Sequence, residues 1–193
     1  MTLGLVAFWP ALALGSFLNV VAARVPLQRS VVRPASACMS CGHELAWYDN
    51  VPVASWFLLR GRCRSCGSRI SPLYPAVELA TAGLVAACFV AFGLSAEAFV
   101  ASFFCVVLVV ISAIDLTHRI VPNRIVLPAA LLVLVAQTAL QPSPEWALGA
   151  LGASGFLLAA ALVYPAGMGM GDVKLALLLG AMLGRTVPVA LMV

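Results

Sequence analysis

Four cysteines and two aspartates are the residues whose types and spacing can do chemistry in this chain. Cys38-Met-Ser-Cys41 and Cys63-Arg-Ser-Cys66 form two CxxC pairs separated by 21 residues. Each pair can present two thiolates to one ion, and two such knuckles complete a tetrahedral zinc site. Gly42 and Gly67 follow the second cysteine of each pair, where a tight turn favours glycine. Asp115 follows the apolar run Phe103 to Ile114, and Asp172 lies in GMGMGDVKL, Gly167 to Leu175, where an apolar run resumes. Two carboxylates that share a proton can hydrolyse a peptide: one activates water as a base while the other, protonated, polarises the carbonyl. That chemistry needs no nucleophilic serine, bound metal or cofactor.

The elements that must position these residues are membrane spans. The chain of 193 residues is 63% hydrophobic and only 9% charged, far below the quarter of charged residues usual in soluble domains. Apolar runs recur at roughly the 20-residue length that a helix needs to cross a bilayer. Spans are expected at Leu3–Ala23, Leu73–Phe92, Ala98–Ile114, Ile125–Leu140 and Trp146–Val163, with a sixth segment from Val173. That segment breaks at Gly184 and Arg185; Val187–Val193 reads as the opening of a further helix, and the C-terminus as truncated. The fold class is an all-α polytopic membrane protein of about six transmembrane helices. Residues 1–23 form the first span, 24–72 a polar loop carrying the cysteines, and 73–193 a membrane domain. Met1 to Ala23 lacks the basic n-region of a secretory signal and is read as a retained span.

Charge sets the orientation. Of the 11 basic residues, Arg24, Arg29, Arg33, Arg60, Arg62, Arg64 and Arg69 all lie in the loop between the first two spans. The positive-inside rule makes that loop cytoplasmic. Alternation then puts the N-terminus outside and both aspartates at cytoplasmic ends of spans, with Arg119, Arg124 and Lys174 in agreement. The net charge of +4 reports topology rather than nucleic-acid binding.

The plainer alternatives are specific. The CxxC pairs can form disulfides, which the cytosol disfavours, or act as redox thiols, which two matched pairs without a βαβ pattern do not suit. His43 is read as a surface residue, and Cys88 and Cys105 as small packing residues inside spans. The loop has few apolar residues to bury, so a metal there supplies folding free energy. Four thiolates leave no open position, which makes the zinc structural. Taken singly, Asp172 is a reasonable N-cap and Asp115 an ordinary helix boundary. Their shared side of the membrane favours a dyad, and helix polarity places the shared proton on Asp115. Gly167, Gly169 and Gly171 either admit an extended substrate close to the backbone or form a flexible interhelical loop. A phosphate loop is set aside, because neither GxGxxG nor GxxxxGK[ST] is present and the preceding segment is a span.

In order along the chain, these motifs resemble the bacterial type IV prepilin peptidases, membrane aspartic proteases of the GxGD type. GSFLNVVAARVP (Gly15–Pro26) is similar to the family's first-helix signature, and the cysteine segment to its zinc loop. YPAVELA resembles the start of its next helix. AIDLTHRIVPNRIVLP and GMGMGDVKLALLLGAMLG resemble the segments of its two catalytic aspartates. The resemblance implies catalysis by Asp115 and Asp172, support from Gly169, Gly171, Lys174 and Glu78, and zinc on Cys38, Cys41, Cys63 and Cys66. It implies a prepilin or pseudopilin substrate, of a pilus or secretion system, cut on the cytoplasmic side of the bacterial inner membrane. Many members then methylate the new N-terminus from S-adenosylmethionine, an activity for which Gly61 is the candidate. For Gly61 a turn glycine, and for Glu78 a snorkelling interfacial carboxylate, are the plainer readings. The family typically continues through further membrane helices, whereas this chain stops seven residues into what resembles the next. Two rivals from other classes are a zinc-stabilised membrane scaffold without catalysis and a membrane thiol oxidoreductase.

Overall fold

The computed structural model describes residues 2–164 and 169–187. The expectations for Gly167 and for residues 188–193 lie outside them. Among the described residues, seven α-helices account for nearly all the regular structure: α1 (Thr2–Arg24), α2 (Ala54–Leu58), α3 (Leu73–Phe92), α4 (Ala96–His118), α5 (Asn123–Leu140), α6 (Glu145–Val163) and α7 (Met170–Leu183). Five of them, α1 and α3 to α6, are long and apolar enough to cross a membrane. The 14 residues of α7 reach only about 21 Å at 1.5 Å per residue, and the helix gives way to a 3₁₀ turn at Gly184–Thr186, where the sequence showed its break.

The spans associate through small residues, as helices in lipid do when side-chain hydrophobicity supplies no drive between them. α1 runs antiparallel to α3, and a methyl group added to Gly15 would lie 2.6 Å from Cα of Glu78. Gly180 of α7 lies in the same way against the backbone of Gly149 and Ala150 in α6. A layer of α1, α3 and α4 buries Leu18, Val77, Val110 and Ile114. A second layer joins α4, α5, α6 and α7 around Ile111, Val126, Val133 and Leu178. α4 belongs to both layers. Large side chains such as Leu131 (63% exposed) and Leu162 (73%) point outward, the pattern expected where the surrounding solvent is lipid rather than water.

α4 is longer than its apolar run. Ser95 caps its start, accepting from the Ala98 amide at 3.2 Å. The helix ends one turn beyond Ile114, where Arg119 turns left-handed (φ 54°) and donates to the Asp115 carbonyl, three residues before Pro122. Asp115 therefore sits in the last turn and is not the boundary residue.

Candidate functional site

The cysteine loop is built from two near-identical knuckles. In the first, the Cys38 amide donates to the His43 carbonyl and the Gly42 amide to the Cys38 carbonyl, each at 2.9 Å. In the second, Cys63 donates to Ser68 at 2.8 Å and Gly67 to Cys63 at 2.9 Å. Gly42 and Gly67 close the turns at φ 71° and 70°, the left-handed region in which a side chain is strained. Antiparallel bridges Ala37 to Glu44 and Arg62 to Arg69 hold the bases of the two turns.

The four Sγ atoms lie within 4.8 Å of one another. A tetrahedral site with metal–sulfur bonds of about 2.3 Å needs its sulfurs about 3.8 Å apart, and Cys38 and Cys66 are 3.8 Å apart. The cluster can hold a metal ion. Ser68 stands beside it, its Oγ 3.5 Å from the Cys38 sulfur and 3.1 Å from that of Cys66. That hydroxyl, with the amides of Cys41 and Ser40, draws the Cys38 thiol down to about 5, and it lowers Cys66 as well. At Cys41 the His43 backbone favours the thiolate, but the neighbouring Cys66 sulfur, burial and the other thiols outweigh it and push the group up to about 11. Sequence reading missed Ser68, although its position after Cys66-Gly67, matching His43 after Cys41-Gly42, was the available signal.

Glu78 is not a snorkelling carboxylate. It is buried, 7% exposed, and its Oε2 accepts the Val53 amide at 2.7 Å. Ser16 and Asn19 of α1 lie beside the carboxylate, and Asn19 also donates to the Tyr74 carbonyl at 3.1 Å. Val53 occupies φ 60°, a conformation rare for a β-branched residue, and the hydrogen bond that its N–H donates to Glu78 holds it there. Gly61 also sits at positive φ, 64°, and a methyl group added to it would meet the Trp56 ring at 3.0 Å. Trp56 thus fills the side of Gly61 on which a side chain would lie, which fits the reading of a turn glycine.

Asp172 is the third residue of α7. Gly169, in extended conformation, stands at the N-cap and accepts the Asp172 amide at 3.1 Å; the aspartate is not itself the cap. A methyl group added to Gly171 would lie 3.0 Å from Cγ2 of Val121, so α7 begins against the turn that leads out of α4. Ile111, one turn before Asp115, and Leu175, one turn after Asp172, pack into the same core cluster. Both carboxylate-bearing helix ends therefore lie at one end of the bundle, with Asp115 and Asp172 exposed. Lys174, half-buried, forms no ion pair among the described residues.

Fold and site together define a multi-pass helical membrane protein with a four-thiol cluster beside the bundle and two carboxylates at one of its ends. The chain belongs to the type IV leader peptidase family. The family model of that description matches residues 102–193, and the model of the bacterial peptidase A24 N-terminal domain matches residues 10–92. Relatives named prepilin leader peptidase/N-methyltransferase include the following three. That of Bacillus subtilis is 40% identical over 176 residues, covering 90% of this chain and 71% of the relative. That of Klebsiella pneumoniae is 34% identical over 191 residues, covering 92% and 83%. That of Myxococcus xanthus is 52% identical over 120 residues, covering 62% of this chain and 36% of the relative. The chain thus spans from about a third to four fifths of the lengths of these relatives. No solved structure matches.

Proposed function

We propose that this chain is an aspartic endopeptidase of the bacterial inner membrane that removes the basic leader of type IV prepilins or pseudopilins at the cytoplasmic face. The observation that carries this reading is the contact between Gly171 and Val121, which seats the start of the Asp172 helix against the turn following the Asp115 helix. Asp115 and Asp172 act as the dyad, one as base on the attacking water and the other, protonated, as donor to the scissile carbonyl. The carbonyl oxygen collects negative charge as water adds, and the protonated carboxyl stabilises it there. Gly169 and Gly171 keep the backbone beside the dyad free of side chains, so that an extended peptide can approach it.

The labour divides along the chain. Residues 73–193 carry the dyad, residues 24–72 hold a structural zinc on Cys38, Cys41, Cys63 and Cys66, and residues 1–23 span the membrane beside α3. Zinc supplies folding free energy to a loop with little core of its own. N-methylation of the new N-terminus is the second activity of this reading, with S-adenosylmethionine as donor. Gly61 acts in it only by holding α2 and the second knuckle together.

The test is cleavage of a leader-bearing prepilin by the purified chain in lipid, with the released leader identified by mass. Loss of cleavage in both Asp115→Asn and Asp172→Asn supports the reading. Cleavage retained by either variant rejects the dyad, and normal pilin assembly with both variants favours a non-catalytic scaffold.

A further inference from the structure

The cysteine loop is a solvent-facing appendage by charge, yet one part of it descends to the depth of the spans. α3 has 20 residues, about 30 Å at 1.5 Å per residue, which matches the hydrocarbon thickness and leaves no turn to spare outside it. Glu78 is five residues into that helix, roughly 7 Å below its start. Its carboxylate accepts the Val53 amide, and the Val53 side chain packs on the cluster of Ala11, Leu12, Ala82 and Val85 inside α1 and α3. Residue 53 is therefore held beside the first turns of a helix long enough to cross a membrane, and α2 begins at the next residue.

α2 presents two faces. Trp56 turns inward and donates to the Ile70 carbonyl at 3.2 Å. Ala54, Phe57 and Leu58 share the other face at i, i+3 and i+4, and all three are exposed, Phe57 by 63% and Leu58 by 82%. Exposed arginines at 60 and 62 follow directly. A short apolar face at that depth with cations beyond its end is the composition of an interfacial segment, apolar side in the acyl boundary and basic side at anionic headgroups.

We propose that α2 is a membrane anchor of the cysteine loop, with Phe57 and Leu58 seated among lipid acyl chains. The lipid-facing surface of α1 and α3 continues into it. The loop then lies down on the bilayer and does not stand free in solvent. This inference is independent of what the two aspartates do.

The test places a photoreactive benzoyl-phenylalanine at Leu58 of the full chain in vesicles of phosphatidylethanolamine and phosphatidylglycerol, with and without added prepilin. Adducts are read by mass. The expected result is a lipid adduct in yield within about threefold of the same label at the outward-facing Leu131 of α5, and unchanged by prepilin, as acyl-chain contact at boundary depth requires. A yield at Leu58 below about a tenth of that at Leu131 overturns the proposal. An adduct to prepilin in place of lipid overturns it as well and makes the face a substrate-docking surface. Should the label at Leu58 prevent folding, the same label at Phe57 reads the same face under the same criteria.

Discussion

The Val53 amide donates to Oε2 of Glu78 at 2.7 Å, so the loop that carries the four cysteines is moored inside the membrane bundle. Replacing Glu78 by Ala leaves a half-buried amide without its acceptor, at a cost of about 1–3 kcal/mol, and frees Val53 from its strained φ. Glu78→Gln keeps an oxygen that can accept. Hydrogen exchange is expected to quicken at residues 51–58 in the alanine variant and to stay near wild type in the glutamine variant. Equal exchange in the two variants would show that the bond holds nothing in place.

The two glycines before Asp172 are predicted to differ. A methyl group at Gly171 meets Val121 at 3.0 Å, whereas one at Gly169 finds its nearest neighbour, Oδ2 of Asp172, at 3.6 Å, an ordinary contact. Gly171→Ala crowds Val121 by a few tenths of an ångström, and where α7 moves to relieve that crowding, a displacement of this size beside the proposed dyad lowers turnover on the order of tenfold or more. Gly169→Ala is expected to retain most of its activity. The measurement is kcat/KM for prepilin cleavage, and a larger loss at Gly169 than at Gly171 would mean that the steric reading is wrong.

Metal removal should act on the loop and spare the spans. A strong chelator is expected to release zinc and expose residues 36–70 to proteolysis while the helical circular dichroism of the membrane domain persists, because structural zinc supplies on the order of 10 kcal/mol of local folding free energy. Ser68→Ala removes the hydroxyl between Cys38 and Cys66 and is predicted to lower zinc affinity by about tenfold or more, as loss of a partner to the ligands does. Competition with a chromogenic chelator measures it. Unchanged affinity would assign Ser68 to the turn alone.

Acid should weaken the loop for a separate reason. Arg64 grips Asp49 through Nε and a terminal nitrogen at 2.7–3.1 Å, leaving the aspartate side chain 8% exposed. Its hydrogen bonds, more than its charge, hold the Asp49 carboxyl below the usual carboxylate range. A lowered folded pKa means that this stabilisation is complete above the unfolded value, about 3.9, and is lost as pH falls through the folded one. An Asp49→Asn chain is expected to be less stable than wild type at pH 7, with the gap closing below about pH 4. Urea midpoints of the zinc-loaded chains at pH 7, where the thiolates keep the metal, test the sign; an Asp49→Asn chain as stable as wild type there contradicts it.

Much of the fold was legible because apolar length is a strong signal: the second span, Leu73–Phe92, begins and ends where its hydropathy does. The expected span Ala98–Ile114 falls four residues short of the C-terminal end of α4, since hydropathy stops at Asp115 while backbone hydrogen bonds carry the helix to His118. The cysteine cluster was legible because two CxxC pairs state both ligand type and turn geometry. The N-cap that a lone carboxylate at a helix start offers as the plainer alternative for Asp172 falls instead on Gly169. Glu78, Val53 and Ser68 carry their meaning in partners 25 to 30 residues away, and no local pattern announces such pairs. The outward face of α2 was likewise hidden in the apolar run Val51 to Leu59, whose inner and outer residues only the fold separates.

The pairing of Asp115 with Asp172 is tested most directly by a double-mutant cycle on prepilin cleavage, using Asp115→Asn, Asp172→Asn and the double variant in lipid at equal zinc content. Groups that act as one unit lose nearly everything at the first substitution and little more at the second. The expected result is that each single variant and the double variant fall to the same residual kcat/KM. Two partial losses that multiply in the double variant would mean that the carboxylates act separately, and a single variant with undiminished cleavage would remove that residue from the chemistry.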